Sequence, residues 1–184
     1  NYFKTNTNSL KLINIGRLTD QKDQITILKA VNLLKNKINY KLIIIGNGYE
    51  KENLQKYINQ YKLEKNVKIL NFTKHHYSIL NEADVFILSS LYEGLPNVLL
   101  EAAFLKKFII STNCPTGPSE ILQNGKGGFL FKIRDHEELA KKIILYQKQK
   151  NKLKKKISFT YGSLRKYDYN KNLNEYYSTI KKIL

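Results

Sequence analysis

The stretch ADVFILSSLYEGLPNVLLEAA, residues 83 to 103, decides how the rest of this chain is read. VFILSS (85–90) is an apolar run without polar alternation, the mark of a strand buried on both faces, as in a parallel sheet. LLEAAFL (99–105) belongs to a helix. Gly94 breaks the strand direction between them. Pro96 suits the first turn of a helix, where its missing N–H is harmless. Glu93 and Glu101 stand eight positions apart with no charge between them, in a chain crowded with lysine.

The amides of Asn97 and Val98 open that helix, and a helix N-terminus attracts anions. Glu93 precedes the helix and Glu101 lies about one turn inside it. Spacing alone leaves two readings. Both carboxylates border one crevice, one of them accepting hydrogen bonds from a ribose diol as acidic residues of dinucleotide-binding folds do. Or Glu93 is an exposed loop residue and Glu101 complements the helix dipole.

Outward from this stretch the same alternation recurs. KLINIG (11–16), KLIIIG (41–46), VKIL (67–70), FIIST (108–112) and the weaker GFLF (128–131) read as further strands. Helical stripes separate them: Asp20 to Leu34 through Ile27, Leu28, Val31 and Leu34; Leu54, Tyr57, Ile58 and Tyr61; and Tyr77 to Ala83. Two or three helices end the chain. The pattern predicts an α/β fold: a Rossmann-like, doubly wound, parallel six-stranded sheet with helices on both faces. Ligands of such sheets bind beyond the carboxyl ends of the strands.

The loops at those ends carry the candidate groups. After the first strand, Gly16 permits a close turn, and Arg17 and Lys22 can clamp a diphosphate or stand as ordinary surface cations. After the second come Gly46, Asn47 and Gly48. This is a turn rather than a dinucleotide fingerprint, because Lys51 occupies the third glycine's place. After the third come Asn71, Phe72 and Thr73, whose amides can meet a base edge. After the fifth, TNCPTGPSEI (112–121) is a rigid loop with no clear catalytic group.

The 184 residues suffice for one domain, and the formal net charge of +17 attracts anions without choosing among them. Cys114 is the only cysteine, so no intramolecular disulfide forms. His75, His76 and His136 lack zinc-ligand spacing, and the adjacent pair reads as a polar loop. No apolar run reaches the roughly 18–20 residues of a membrane span. Residues 1–10 read as a polar lead-in. QKQKNKLKKK (147–156) reads as a solvated helical face or as a patch for anionic lipid. Leu173, Tyr176, Tyr177, Ile180 and Leu184 form one apolar stripe of the last helix.

GRLTDQK, IIIGNG, ADVFILSS, EGLPNVLLE and NGKGGFLF, in this order, resemble the C-terminal domain of retaining glycosyltransferases of the GT-B architecture, family 4, over nearly the whole chain. The resemblance implies roles residue by residue. Arg17 and Lys22 match the cations that bind the donor diphosphate and stabilise the leaving nucleotide. Glu101 matches the glutamate that binds the ribose, and Glu93 the one that contacts the donor sugar near its reacting carbon. Gly94, Leu95, Pro96, Asn97 and Val98 match the backbone that meets sugar and phosphates.

No metal or cofactor is implied. The donor is a nucleotide-diphosphate sugar, with a UDP-sugar expected. The acceptor is a glycan or lipid-linked sugar held by an N-terminal domain that this chain lacks, across which residues 163–184 would cross back. The TNCPTGPSEI loop resembles members that build bacterial surface polysaccharides, oligosaccharides and lipopolysaccharide cores. The expected place is the cytoplasm, with peripheral contact to anionic membrane, and the chain alone is expected to bind donor weakly and transfer nothing. Two departures stand out: Asn71 where the family has Gly before Phe, and Lys106–Phe108 where it has Gly then Pro. Three alternatives are weighed against this reading. A nucleic-acid module would need aromatics interleaved with cations on one face, and the tyrosines lie mostly in helical stripes. A nicotinamide-binding domain would need the third glycine. A non-catalytic nucleotide-sugar sensor stays open.

Overall fold

The computed structural model describes residues 2–3 and 8–183. Its strands are β1 (Leu10–Ile15), β2 (Tyr40–Ile45), β3 (Val67–Leu70), β4 (Val85–Leu88), β5 (Phe108–Thr112) and β6 (Phe129–Phe131). They form one parallel sheet in the order β3-β2-β1-β4-β5-β6. The strand runs are apolar on both faces because both faces are covered. Leu12, Leu42, Ile44, Val85, Ile87 and Ile110 face one core, and Ile13, Ile15, Ile43, Phe86, Leu88 and Ile109 the other.

The helices α1 (Gln24–Asn32), α2 (Lys51–Gln60) and α6 (His136–Gln149) cover the first core. The helices α3 (His76–Glu82), α4 (Asn97–Phe104) and α5 (Pro118–Ile121) cover the second. The chain changes face after β3, which makes the gap between β1 and β4 the switch point. There the two strands share only the register pairs Leu12–Val85 and Ile13–Phe86. Further along, the side chain of buried Asn14 takes over, donating from Nδ2 to the Ile87 carbonyl at 2.9 Å. The ladder between the two strands thus stops short of their carboxyl ends, at the switch point where the sequence places its loops.

The structure departs from the sequence reading in several elements. The stripe from Asp20 to Leu34 is not one helix: Asp20–Lys22 is a 3₁₀ turn, and Asp23 takes a left-handed conformation before α1 begins. Asp23 is buried, which pushes its carboxyl above the usual aspartate range, and it accepts a hydrogen bond from Thr26 Oγ1 at 2.7 Å. The lead-in is not wholly polar, since Phe3 is buried in the second core.

The lysine run is not one helical face. Helix α6 ends at Gln149, Leu153 turns into the core, and α7 (Lys154–Ser163) starts in a new direction. Lys150 pairs with Asp84 and Lys156 donates to the Gly125 carbonyl, so two of these lysines hold structure. Residues 163–184 are not one helix either. A 3₁₀ turn at Leu164–Tyr167 precedes α8 (Tyr169–Ile183), whose first turn Asp168 caps by accepting from the Lys171 amide. Leu173 and Ile180 of the apolar stripe are half-buried, while Tyr176, Tyr177 and Leu184 lie outside the described side chains.

Candidate functional site

The loops after β1 and β4 meet across the switch point. Lys22 ends the 3₁₀ turn, and its stem lies over Gly16, where an added Cβ would come 3.7 Å from Lys22 Cγ. Its Nζ reaches Glu93 Oε1 at 2.6 Å, and Ser90 Oγ donates to the same oxygen at 2.6 Å. The two side chains are 15% and 7% exposed, so the pair is largely shielded from water. Backbone bonds lock the loops together: the Leu91 amide donates to the Gln21 carbonyl, Gln21 Nε2 to the Tyr92 carbonyl, and Ser89 Oγ to the Lys22 carbonyl. Arg17 stands exposed beside them, 3.4 Å from Gln21 Oε1.

The loop after β5 buttresses this arrangement rather than adding a reactive group. Thr112 Oγ1 donates to the Ser90 carbonyl at 2.8 Å, and Thr116 Oγ1 to the Glu93 carbonyl. Gly117 has φ +70, and a Cβ there would lie 2.3 Å from the Gly94 oxygen, so only glycine lets the two loops touch. Gly94 is the opposite case: nothing lies within 4 Å of an added Cβ. Beyond it, Leu95 and Asn97 are exposed and Pro96 is buried. Pro96 caps α4 instead of sitting in its first turn, and its carbonyl accepts from the Leu99 amide at 2.9 Å. The amides of Asn97 and Val98 therefore open the helix beside the crevice.

The GNG turn has a reason the sequence did not disclose. A Cβ on Gly46 would fall 1.8 Å from the Gly16 oxygen, and one on Gly48 2.1 Å from the Leu18 oxygen. These glycines let the turn after β2 press on the turn after β1. Leu18 and Asn47 close the contact, amide to carbonyl, at 2.8 Å. The third-strand loop is also engaged. Asn47 Oδ1 accepts from the Phe72 amide at 3.2 Å, so that amide already has a partner in the protein, and Asn71 Oδ1 accepts from Lys51 Nζ at 2.7 Å. Phe72 is exposed and Thr73 half-buried.

Glu101 projects from α4 toward α3. Its Oε1 accepts from Tyr77 at 3.1 Å, and its Oε2 stands 3.5 Å from His76 Nε2. The charge of Glu101 pushes the Tyr77 phenol above its ordinary range. His76 is thus no polar loop residue, as its neighbours in sequence imply, but the first residue of a helix turned toward a candidate ligand-binding carboxylate. No spacing in the sequence signals this contact: α3 and α4 pack on the same face of the sheet, and His76, the first residue of α3, meets Glu101 in the middle of α4. Among the described residues no group of three or more His, Cys, Asp or Glu side chains is placed to hold a metal ion. No described helix is long and apolar enough to cross a membrane.

A doubly wound parallel sheet whose switch point gathers Arg17, Lys22, Glu93 and a helix N-terminus defines a domain of the Rossmann-like class. The particular family follows from comparison: residues 3–163 match the model of the glycosyl transferases group 1, and the chain belongs to that family. An uncharacterized glycosyltransferase of Methanocaldococcus jannaschii is 45% identical over 66% of this chain and 30% of its own. The amylovoran biosynthesis glycosyltransferase AmsD of Erwinia amylovora is 35% identical over 62% of this chain and 32% of its own. The chain thus spans about a third of the length of these relatives.

Two solved structures share the fold. Anabaena Alr3699/HepE in complex with UDP has a TM-score of 0.86 at 21% identity, covering 95% of this chain and 49% of that one. A mutant of S. aureus TarM in complex with Fondaparinux, alpha-GlcNAc-glycerol and UDP has a TM-score of 0.86 at 22% identity, covering 95% and 36%. The sheet and its helices are those of a GT-B glycosyltransferase Rossmann-like domain.

Proposed function

We propose that this domain binds a nucleotide-diphosphate sugar, a UDP-sugar, at the β1–β4 crevice. It would serve a retaining, metal-independent transfer of a hexose or N-acetylhexosamine, as in family 4. The observation that carries this reading is the separate placement of two carboxylates. Glu93 is held by Lys22 and Ser90 inside the crevice, and Glu101 is presented separately by α4. Glu93 then meets the sugar, Glu101 the ribose, and the phosphates lie between them against Arg17, Lys22 and the amides of Asn97 and Val98. As the bond from the sugar's anomeric carbon to the phosphate oxygen breaks, its electron pair stays on that oxygen. Cations and amides fixed beforehand stabilise the charge without reorganising.

UDP in the named complexes supports the choice of base. A lipid-linked or glycan acceptor is supported by a Campylobacter jejuni relative, 27% identical, whose name describes transfer to a diphospho-undecaprenol-linked sugar. That acceptor would sit on a further domain, so the chain alone binds donor and transfers nothing, in the cytoplasm or peripherally on the inner face of the cell membrane. Calorimetry or saturation-transfer NMR against UDP-, GDP- and ADP-sugars tests the reading. UDP-sugars should bind, and Arg17→Ala or Glu101→Ala should each weaken UDP itself. Failure of all three panels removes the donor site, and robust turnover by the 184-residue chain removes the need for another domain.

A further inference from the structure

We infer that His76 is a positioning residue for Glu101: the protonated imidazole holds the carboxylate's inner oxygen, so that the outer oxygen faces the donor's ribose. This rests on the donor-site reading above.

The argument is one of donors and acceptors. His76 Nδ1 lies 3.0 Å from the carbonyl oxygen of Thr73, which can only accept, so Nδ1 carries a hydrogen. His76 Nε2 faces Glu101 Oε2 at 3.5 Å, and a carboxylate oxygen also only accepts. A neutral imidazole has one N–H, and the imidazolium has two. Only the charged ring can serve both neighbours. The inner oxygen needs that service, because Glu101 Oε2 is buried and accepts no hydrogen bond. At 3.5 Å the two atoms are just short of a hydrogen bond, and a few tenths of an ångström close it.

The ring is well held for this task. Its side chain is 12% exposed, and the rings of Phe72 and Tyr77 lie 5.3 and 4.1 Å from it, centroid to centroid. Among the described residues, the titratable groups in contact with it are Glu101 from α4 and Tyr77 from its own helix. The preceding loop contributes the Thr73 carbonyl and the Phe72 ring. The outer oxygen is differently placed. Its partner is the hydroxyl of Tyr77, an exposed side chain that can swing aside for a ribose hydroxyl. Protonation of His76 thus fixes the plane of the carboxylate without consuming the oxygen the ligand needs.

Donor affinity should therefore rise on acidification, as the imidazole gains its second N–H. UDP-glucose is the probe, because its diphosphate is esterified at both ends and does not titrate with it. Calorimetry on the whole chain from pH 8 to 5.5 should show tightening for the wild type. His76→Phe keeps a ring against Phe72 and Tyr77 but has no donor. It should bind about tenfold more weakly at the acidic end, the worth of one hydrogen bond to a charged group, with a flat profile. His76→Gln, an uncharged donor, should recover part of the affinity and stay flat. The same slope in wild type and His76→Phe, or no slope in the wild type, overturns the proposal.

If UDP-glucose binds at no pH, the donor-site reading fails and a ligand-free readout decides this one. The ¹⁵N resonances of the His76 ring, recorded at one pH, should move in Glu101→Gln relative to wild type. Unmoved resonances would overturn the contact.

Discussion

Lys22 and Glu93 form an ion pair, Nζ to Oε1 at 2.6 Å, across the switch point between β1 and β4. The cation proposed for the diphosphate and the carboxylate proposed for the sugar thus neutralise each other before any donor arrives. Glu93→Gln should release Lys22 to the phosphates. UDP affinity should hold or rise, while the extra affinity of UDP-glucose over UDP is lost. Calorimetry with both ligands checks this, and equal losses for the two would contradict the role given to Glu93. Lys22→Met should weaken both ligands. It should also lower stability by about 1–3 kcal/mol, because a shielded carboxylate loses its charged donor. The double variant should regain part of that stability in urea melts, but not the affinity.

Two glycines of neighbouring loops should behave in opposite ways. Gly117→Ala forces a Cβ against the Gly94 oxygen in a left-handed conformation, so the loop carrying Glu93 must move. It should cost at least about 1–3 kcal/mol of stability and most of the donor affinity. Gly94→Ala meets nothing within 4 Å and should leave the melting temperature unchanged. If a sugar or phosphate approaches that backbone, the methyl group will weaken UDP-glucose all the same. A Gly94→Ala protein that binds as well as wild type would show that no ligand comes close there.

Alkaline pH should unfold the domain through its buried phenols. Tyr40 is fully buried, its hydroxyl donating to the Val31 carbonyl at 2.9 Å, and burial pushes its pKa up to about 12. Burial raises the Tyr146 phenol and the Cys114 thiol as well. In each case the folded state keeps the proton that the unfolded chain releases earlier. The contribution of Tyr40 is complete below the unfolded phenol's pKa of about 10 and is lost as pH climbs toward the folded value. Urea midpoints should fall between pH 9.5 and 12. Tyr40→Phe should start lower, by about 1 kcal/mol for the lost hydrogen bond, and fall less steeply. Parallel slopes in the two proteins would remove Tyr40 from the account.

The strands were legible because a residue buried on both faces of a sheet cannot alternate with polar ones. Runs such as KLIII and VFIL admit one reading once helices separate them. The break at Asp23 was not legible, since residues 19–24, TDQKDQ, hold no apolar residue whose spacing could mark where the helix begins. The carboxylates and cations could be nominated from their loops, because parallel topology sends every such loop to one edge. Their partners could not. Ser90, Thr116 and His76 reach the site by packing between loops or between helices α3 and α4, and no spacing in the sequence encodes that. The GNG turn was read as a turn, but its glycines answer to the backbone of Gly16 and Leu18 across a strand boundary.

The lysine run offers a last test, sharpened by where it lies. Lys150 pairs with Asp84, whose amide donates to the Lys11 carbonyl where β1 and β4 begin. The run therefore sits at the amino-terminal edge of the sheet, opposite the crevice. Lys148, Lys152, Lys154 and Lys155 remain exposed. If they dock on anionic lipid, each is worth about 1 kcal/mol near the surface. Replacing all four by Gln should then abolish sedimentation with phosphatidylserine vesicles. Because these residues lie far from the donor loops, UDP affinity should not change, and surface replacements of this kind move stability by only about 0.5 kcal/mol. Wild-type protein should ignore neutral phosphatidylcholine vesicles throughout. Equal sedimentation with both lipids would leave the run no membrane role, and its structural duties would be those of Lys150 and Lys156 alone.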